Sequence, residues 1–122
     1  MSALFLTNDL LFSSKVTGAA QALKLPLEIA MSVPKLLERA AAPGVKLVIL
    51  DLAFHGCDPA LLVPQLRQLA PVAKIIAYGP HVQDAQLLAA QSAGCDEVLT
   101  RSQFNMEAAG ILRRYLGAGF SA

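Results

Sequence analysis

The sequence predicts an α/β fold, a three-layer (βα)5 sandwich around a five-stranded parallel sheet. Three observations carry that prediction. Five short runs that read as buried strands alternate with five stretches of helical periodicity, the turns between them are short, and the central run at residues 46–50 is β-branched and apolar on both faces. Strands and helices in strict alternation demand right-handed crossovers, which put helices on both sides of a parallel sheet. A strand covered on both sides carries a continuous apolar run rather than an alternating one.

Residues 3–6 (ALFL) form the first expected strand, and Thr7, Asn8 and Asp9 offer side chains able to cap a helix expected from about residue 13 to 23. Leu27, Ile29 and Met31 alternate with Glu28 and Ala30 as a second strand would. Ser32-Val33-Pro34 then opens a helix with proline in its first turn and Leu36, Leu37 and Ala40 on one face, and Pro43-Gly44 stops it. After the third strand, Asp58-Pro59 reads as N-cap and first residue of a helix. Pro64 lies too deep in that helix to leave it straight, so it either bends or starts late. Residues 73–78 are the fourth strand, Gly79-Pro80 its turn, and 82–93 a helix that Gly94 closes. Residues 97–100 are the fifth strand, and 104–116 a last amphipathic helix with Met106, Ile111, Leu112 and Tyr115 apolar. Residues 1–117 are expected to form a single domain and 118–122 a short tail, with no repeat, linker or low-complexity segment.

At 122 residues and 55% hydrophobic composition, the chain has material for one core. Ten Lys and Arg against nine Asp and Glu leave a formal charge of +1, which provides no electrostatic footprint for nucleic acid or an anionic membrane. The apolar runs are shorter than a bilayer span, and MSALFL lacks the basic start and long apolar middle of a secretory leader, so a cytoplasmic protein is expected. Cys57 and Cys95 form no CxxC motif and no His/Cys cluster at metal spacing, and are expected to stay as thiols.

In open parallel sheets, the reactive crevice lies at the carboxyl ends of the strands, where strand order reverses. Thr7, Asn8, Asp9, Asp51, Gly79, His81 and Arg101 all fall at those ends.

The stretches LVILDL, KIIAYG and SAGCDEVLTRSQF, in this order and spacing, resemble the receiver domain of bacterial response regulators, a flavodoxin/CheY-like fold. The resemblance covers almost the whole chain. It implies that Asp51 is the phosphoacceptor equivalent, that two acids after the first strand hold Mg²⁺, and that a Thr or Ser after the fourth strand contacts the phosphoryl oxygens. A Lys after the fifth strand, usually followed by cis-Pro, completes such a site. Transfer to a carboxylate needs charge neutralisation by metal and cation more than it needs acid or base help.

This chain departs from that pattern. The acid pair falls on Thr7 and Asn8, with Asp9 one position late; Gly79 has no hydroxyl; Val98 stands where many receivers carry Tyr or Phe; and Ser102 replaces the proline. Arg101 keeps the charge of the Lys, but its planar fork is no geometric substitute for a compact ammonium. The resemblance is therefore to a degenerate pseudo-receiver. Asp9 and Asp51 would be its metal ligands only if Mg²⁺ binds, and Asp9 only if its loop shifts register.

Each candidate also has a structural reading. Asp51 could pair with Arg101 or cap neighbouring backbone N–H groups. His81, aimed by Gly79-Pro80, could sense pH or bind an anion with Arg101, or simply sit in the first turn of the fourth helix. His55 and Cys57 lack an orienting acid for nucleophilic work, Cys95 reads as a small buried residue, and Arg113 and Arg114 with Lys46 or Arg67 read as solvated surface.

Three functions follow as expectations. The first is a stand-alone receiver-like signalling module, not an enzyme, that acts by protein–protein contact independently of phosphorylation. Its partner would be another signalling protein or a second copy, met through the fourth and fifth helices, where Ala89, Ala90 and Ala93 suggest a flat surface. Only a short tail follows residue 116, so output is expected through another protein rather than an appended domain. The second function is a Mg²⁺-dependent phosphoacceptor using Asp51. The third is a flavodoxin-like small-anion binder or enzyme using His81, Arg101 and Asp51, against which stands the lack of any glycine in residues 7–11.

Overall fold

The computed structural model describes residues 2–80 and 84–117 and contains five strands alternating with five helices. The strands β1 (Ser2–Leu6), β2 (Leu27–Ala30), β3 (Val45–Asp51), β4 (Lys74–Gly79) and β5 (Glu97–Thr100) form one parallel sheet in the order β2-β1-β3-β4-β5. The helices are α1 (Leu10–Ala22), α2 (Val33–Ala40), α3 (Pro59–Leu69), α4 (Asp84–Ala93) and α5 (Arg101–Leu116). This is the doubly wound order whose switch point lies between β1 and β3.

Side-chain parity along the strands builds two cores. Leu4, Leu6, Val48, Leu50, Ile75 and Ala77 face α2, α3 and α4, where Leu36, Leu62, Val63, Leu66 and Ala90 meet them. Ala3, Phe5, Leu47, Ile49, Ile76 and Tyr78 face α1 and α5, against Phe12, Val16, Phe104, Ile111 and Leu112. Thr7 and Asp51 continue the second set by parity, so both belong to the α1/α5 side at the carboxyl end of the sheet.

Several boundaries differ from the sequence expectation. Helix α1 begins at Leu10 rather than near residue 13, because Asp9 alone is the N-cap and accepts the Phe12 N–H. Helix α5 begins at Arg101 rather than Phe104. Thr100-Arg-Ser-Gln103 forms a reciprocal capping box, the Thr100 hydroxyl accepting from the Gln103 N–H and the Gln103 side chain from the Thr100 N–H. Helix α3 starts at Pro59 behind the Asp58 cap and runs through Pro64, so there is no late start. Pro64 and Ala60 both lie on the exposed side, where water can take the carbonyl that the missing N–H leaves free.

Strand β2 ends at Ala30, and Met31 is 57% exposed instead of continuing it. In α5, Met106 is 85% exposed and does not share the buried stripe of Ile111 and Leu112. In α4, Ala90 is fully buried and Ala93 packs partly against the same core, so these alanines let the helix lie close to the sheet rather than presenting a flat outer surface. Gly94 ends the helix at φ +98°, the left-handed conformation expected of a C′ glycine. Residues 118–122, the expected tail, lie outside the described residues.

Arg67, expected as solvated surface, instead joins three elements. It donates to the carbonyls of Ala73 and Gly94 and to Asp96, which also accepts the Ile75 N–H. Arg114 likewise pairs with Glu97, which Tyr115 also contacts.

Candidate functional site

The crevice is built at the β1/β3 switch point. Asp51, the last residue of β3, is 4% exposed, and Thr7, just after β1, is 1% exposed. The Thr7 hydroxyl donates to Asp51 Oδ2 at 2.8 Å, and the Ala53 N–H donates to Asp51 Oδ1 at 2.9 Å. Thr7 Oγ1 in turn accepts the Asp9 N–H at 3.1 Å, which leaves its own single proton for Asp51. Both carboxylate oxygens therefore already hold a protein donor.

Arg101 does not pair with Asp51. Its guanidinium donates to Asp9 Oδ2 at 2.6 Å and lies over the Phe12 ring, 4.6 Å from the centroid. Asp9 thus holds two loads, the first turn of α1 through Oδ1 and Arg101 through Oδ2. The Phe12 N–H and then the Arg101 charge keep its carboxyl below the usual carboxylate range. Asn8 is exposed. His81, expected across the strand ends, lies outside the described residues.

Gly79 has a packing reason beyond the hydroxyl it lacks. A Cβ at this position would lie 3.2 Å from Leu52 Cβ, and Leu52 is itself 2% exposed. The residue after Asp51 therefore fills the space into which a side chain at 79 would grow.

Tyr78 is the site residue that the sequence analysis missed. It pairs in register with Asp51, is 1% exposed, and stacks on Phe104 with centroids 4.5 Å apart and planes 4° from parallel. Phe5 and Phe12 close the cluster edge-on. Its hydroxyl is buried without a hydrogen-bond partner among the described residues, and burial, followed by the Asp51 charge, pushes its pKa far up. Strand parity could have found it, since position 78 stands beside 51 on the same face.

Cys57 and Cys95 are free and partly buried. Burial and the Asp51 charge push the Cys57 thiol up to about 12, and burial takes Cys95 to about 11, so both stay protonated at neutral pH. His55 is exposed in the loop after β3. Among the described residues, no group of three or more His, Cys, Asp and Glu side chains is arranged to hold a metal, and no helix is long and apolar enough to cross a membrane.

No family model matches the sequence, and neither does any curated protein. Solved structures do. An uncharacterised protein from Neptuniibacter caesariensis is 13% identical with a TM-score of 0.81, over 98% of this chain and 89% of that one. The receiver domain of the Saccharomyces cerevisiae response regulator Ssk1, solved with the phosphotransfer protein Ypd1, is 14% identical with a TM-score of 0.80, over 98% and 90%. The receiver domain of a Pseudomonas aeruginosa sensor histidine kinase, with magnesium in its active-site cleft, is 14% identical with a TM-score of 0.79, over 96% and 98%. These likenesses show that the chain has the CheY-like receiver fold, as the sequence motifs implied.

Proposed function

We propose that this chain, built on the receiver fold of two-component signalling, is a pseudo-receiver that acts by protein–protein contact without depending on phosphorylation. One observation carries the reading: the Thr7 hydroxyl, 2.8 Å from Asp51, stands where the resemblance expects the first Mg²⁺-holding acid. Asp9, the carboxylate nearest to Thr7 in sequence, is bound by Arg101 and the N-terminus of α1. A hard dication is anchored by carboxylates, so a donor set of Asp51 and neutral groups holds Mg²⁺ weakly. Arg101 is engaged away from Asp51, and Gly79 supplies no hydroxyl. The charge neutralisation that phosphoryl transfer to Asp51 requires is therefore not assembled.

The partner in this reading is another signalling protein or a second copy. Leu88 on α4 and Met106 on α5, 61% and 85% exposed, are apolar groups available to it. The Ssk1 receiver, solved with Ypd1, gives a precedent for contact with a signalling protein on this fold.

Incubation with acetyl phosphate and Mg²⁺, followed by intact-mass measurement, tests the proposal. The expected result is an unmodified mass. A phosphoryl adduct that is lost in Asp51→Asn would establish the phosphoacceptor alternative instead.

A further inference from the structure

A cleft of about 350 Å³ opens between the first turns of α1 and α5, lined by Leu11, Phe12, Lys15, Arg101, Ser102 and Asn105. It is separate from the buried Thr7–Asp51 contact. We propose that this cleft is a binding site for a small organic anion, a carboxylate or phosphate monoester carried on an apolar or aryl body.

The chemistry of the lining divides into two halves. Lys15 and Arg101 supply two cations, and among the described residues Lys15 has no ion-pair partner. Arg101 donates one N–H to Asp9, which leaves most of its five donors for a ligand. Ser102 and Asn105 add neutral donors one helical turn apart on α5. The Thr100 cap takes only the Gln103 N–H, so the positive end of a 16-residue helix dipole also faces this rim. The other half is apolar: Leu11 is 89% exposed, and the Phe12 ring is held under Arg101.

A volume near 350 Å³ lies at the small end of ligand pockets. It suits a compact anion better than a nucleotide. Because Arg101 also holds Asp9, whose N–H donates to Thr7, an occupant drawing on Arg101 would be felt at the strand ends.

Amide NMR titration with benzoate and phenyl phosphate, with benzyl alcohol as the uncharged control, tests the assignment. Both anions are expected to give saturable shifts with one common constant at Leu11, Lys15, Ser102 and Asn105, at roughly millimolar affinity for ligands this small. Lys15→Glu, on an exposed position, is expected to weaken binding about tenfold, the loss of roughly one good charged contact. Ser102→Glu places a carboxylate where the helix dipole favours it, so the fold is retained while the anion is repelled. Linear or scattered shifts, equal binding of benzyl alcohol, or unaltered affinity in both variants would overturn the proposal.

Discussion

Thr7 and Asp51 meet across the switch point of the sheet, hydroxyl to carboxylate at 2.8 Å, with both side chains out of solvent. The contact ties the end of β1 to the end of β3. Thr7→Val keeps the shape but leaves Asp51 Oδ2 without this donor, and is expected to lower stability by about 1–3 kcal/mol. Thr7→Asp is expected to behave differently: destabilised in EDTA by the two facing carboxylates, and recovered by Mg²⁺, by about 1.4 kcal/mol at ten times the dissociation constant. Melting temperatures of wild type and both variants, with and without Mg²⁺, check this. A wild-type melting temperature that rises with Mg²⁺ as steeply as that of Thr7→Asp would show that the neutral Thr7 does not impair metal binding.

Among the described residues the buried Tyr78 hydroxyl has no hydrogen-bond partner, while its ring stacks on Phe104. Tyr78→Phe removes the polar atom and keeps the stack, so it is expected to stabilise the protein by about 1 kcal/mol in urea unfolding. A loss of stability would show that the hydroxyl has a partner that matters.

At Gly79 the opposite effect is expected. Its Cβ would sit 3.2 Å from Leu52 Cβ, so Gly79→Ala is expected to cost about 1–2 kcal/mol through overpacking. Restoring a hydroxyl there by Gly79→Thr meets the same obstacle before any phosphoryl contact is made. An unchanged unfolding midpoint in Gly79→Ala would mean that Leu52 moves aside freely.

Two carboxylates link stability to pH. Asp9 lies below its usual pKa of 3.8 because of the Phe12 N–H and then Arg101. At Asp96, burial pushes upward, but the Ile75 N–H and Arg67 outweigh it, and the net shift is also downward. Folded values below unfolded ones mean that both contributions are complete above the unfolded pKa and are lost as pH falls through the folded value. Asp9→Ala is expected to cost about 1 kcal/mol at neutral pH, typical of an N-cap. The gap to wild type should narrow as pH falls below the usual 3.8 and through the lowered folded value of Asp9, in pH-dependent urea titrations. A constant gap would show that the charge of Asp9 plays no part.

The sheet, its two layers of helices and the place of Asp51 were legible because strand runs and turn residues repeat in one order along the chain. Helix starts were less legible. Thr100 is a strand end and a helix cap at once, Asp9 caps α1 only three residues after β1, and the Thr100–Gln103 capping box was readable from its spacing alone. The site itself was legible only as a set of positions. That Arg101 turns to Asp9 rather than Asp51 depends on the stack with Phe12 and on the path of α1 beside α5, which no local pattern encodes. Leu52 over Gly79 is likewise a contact between two strand ends that the sequence separates by 26 residues.

In this reading Asp51 is held by its neighbours rather than poised to accept a phosphoryl group. The decisive experiment titrates Mg²⁺ with beryllofluoride, a mimic of the acyl phosphate, and follows the amide resonances of Thr7, Asp51, Ala53 and Arg101. No saturable shift is expected at these amides up to roughly millimolar Mg²⁺. Saturable shifts centred on Asp51 that vanish in Asp51→Asn would restore the phosphoacceptor reading.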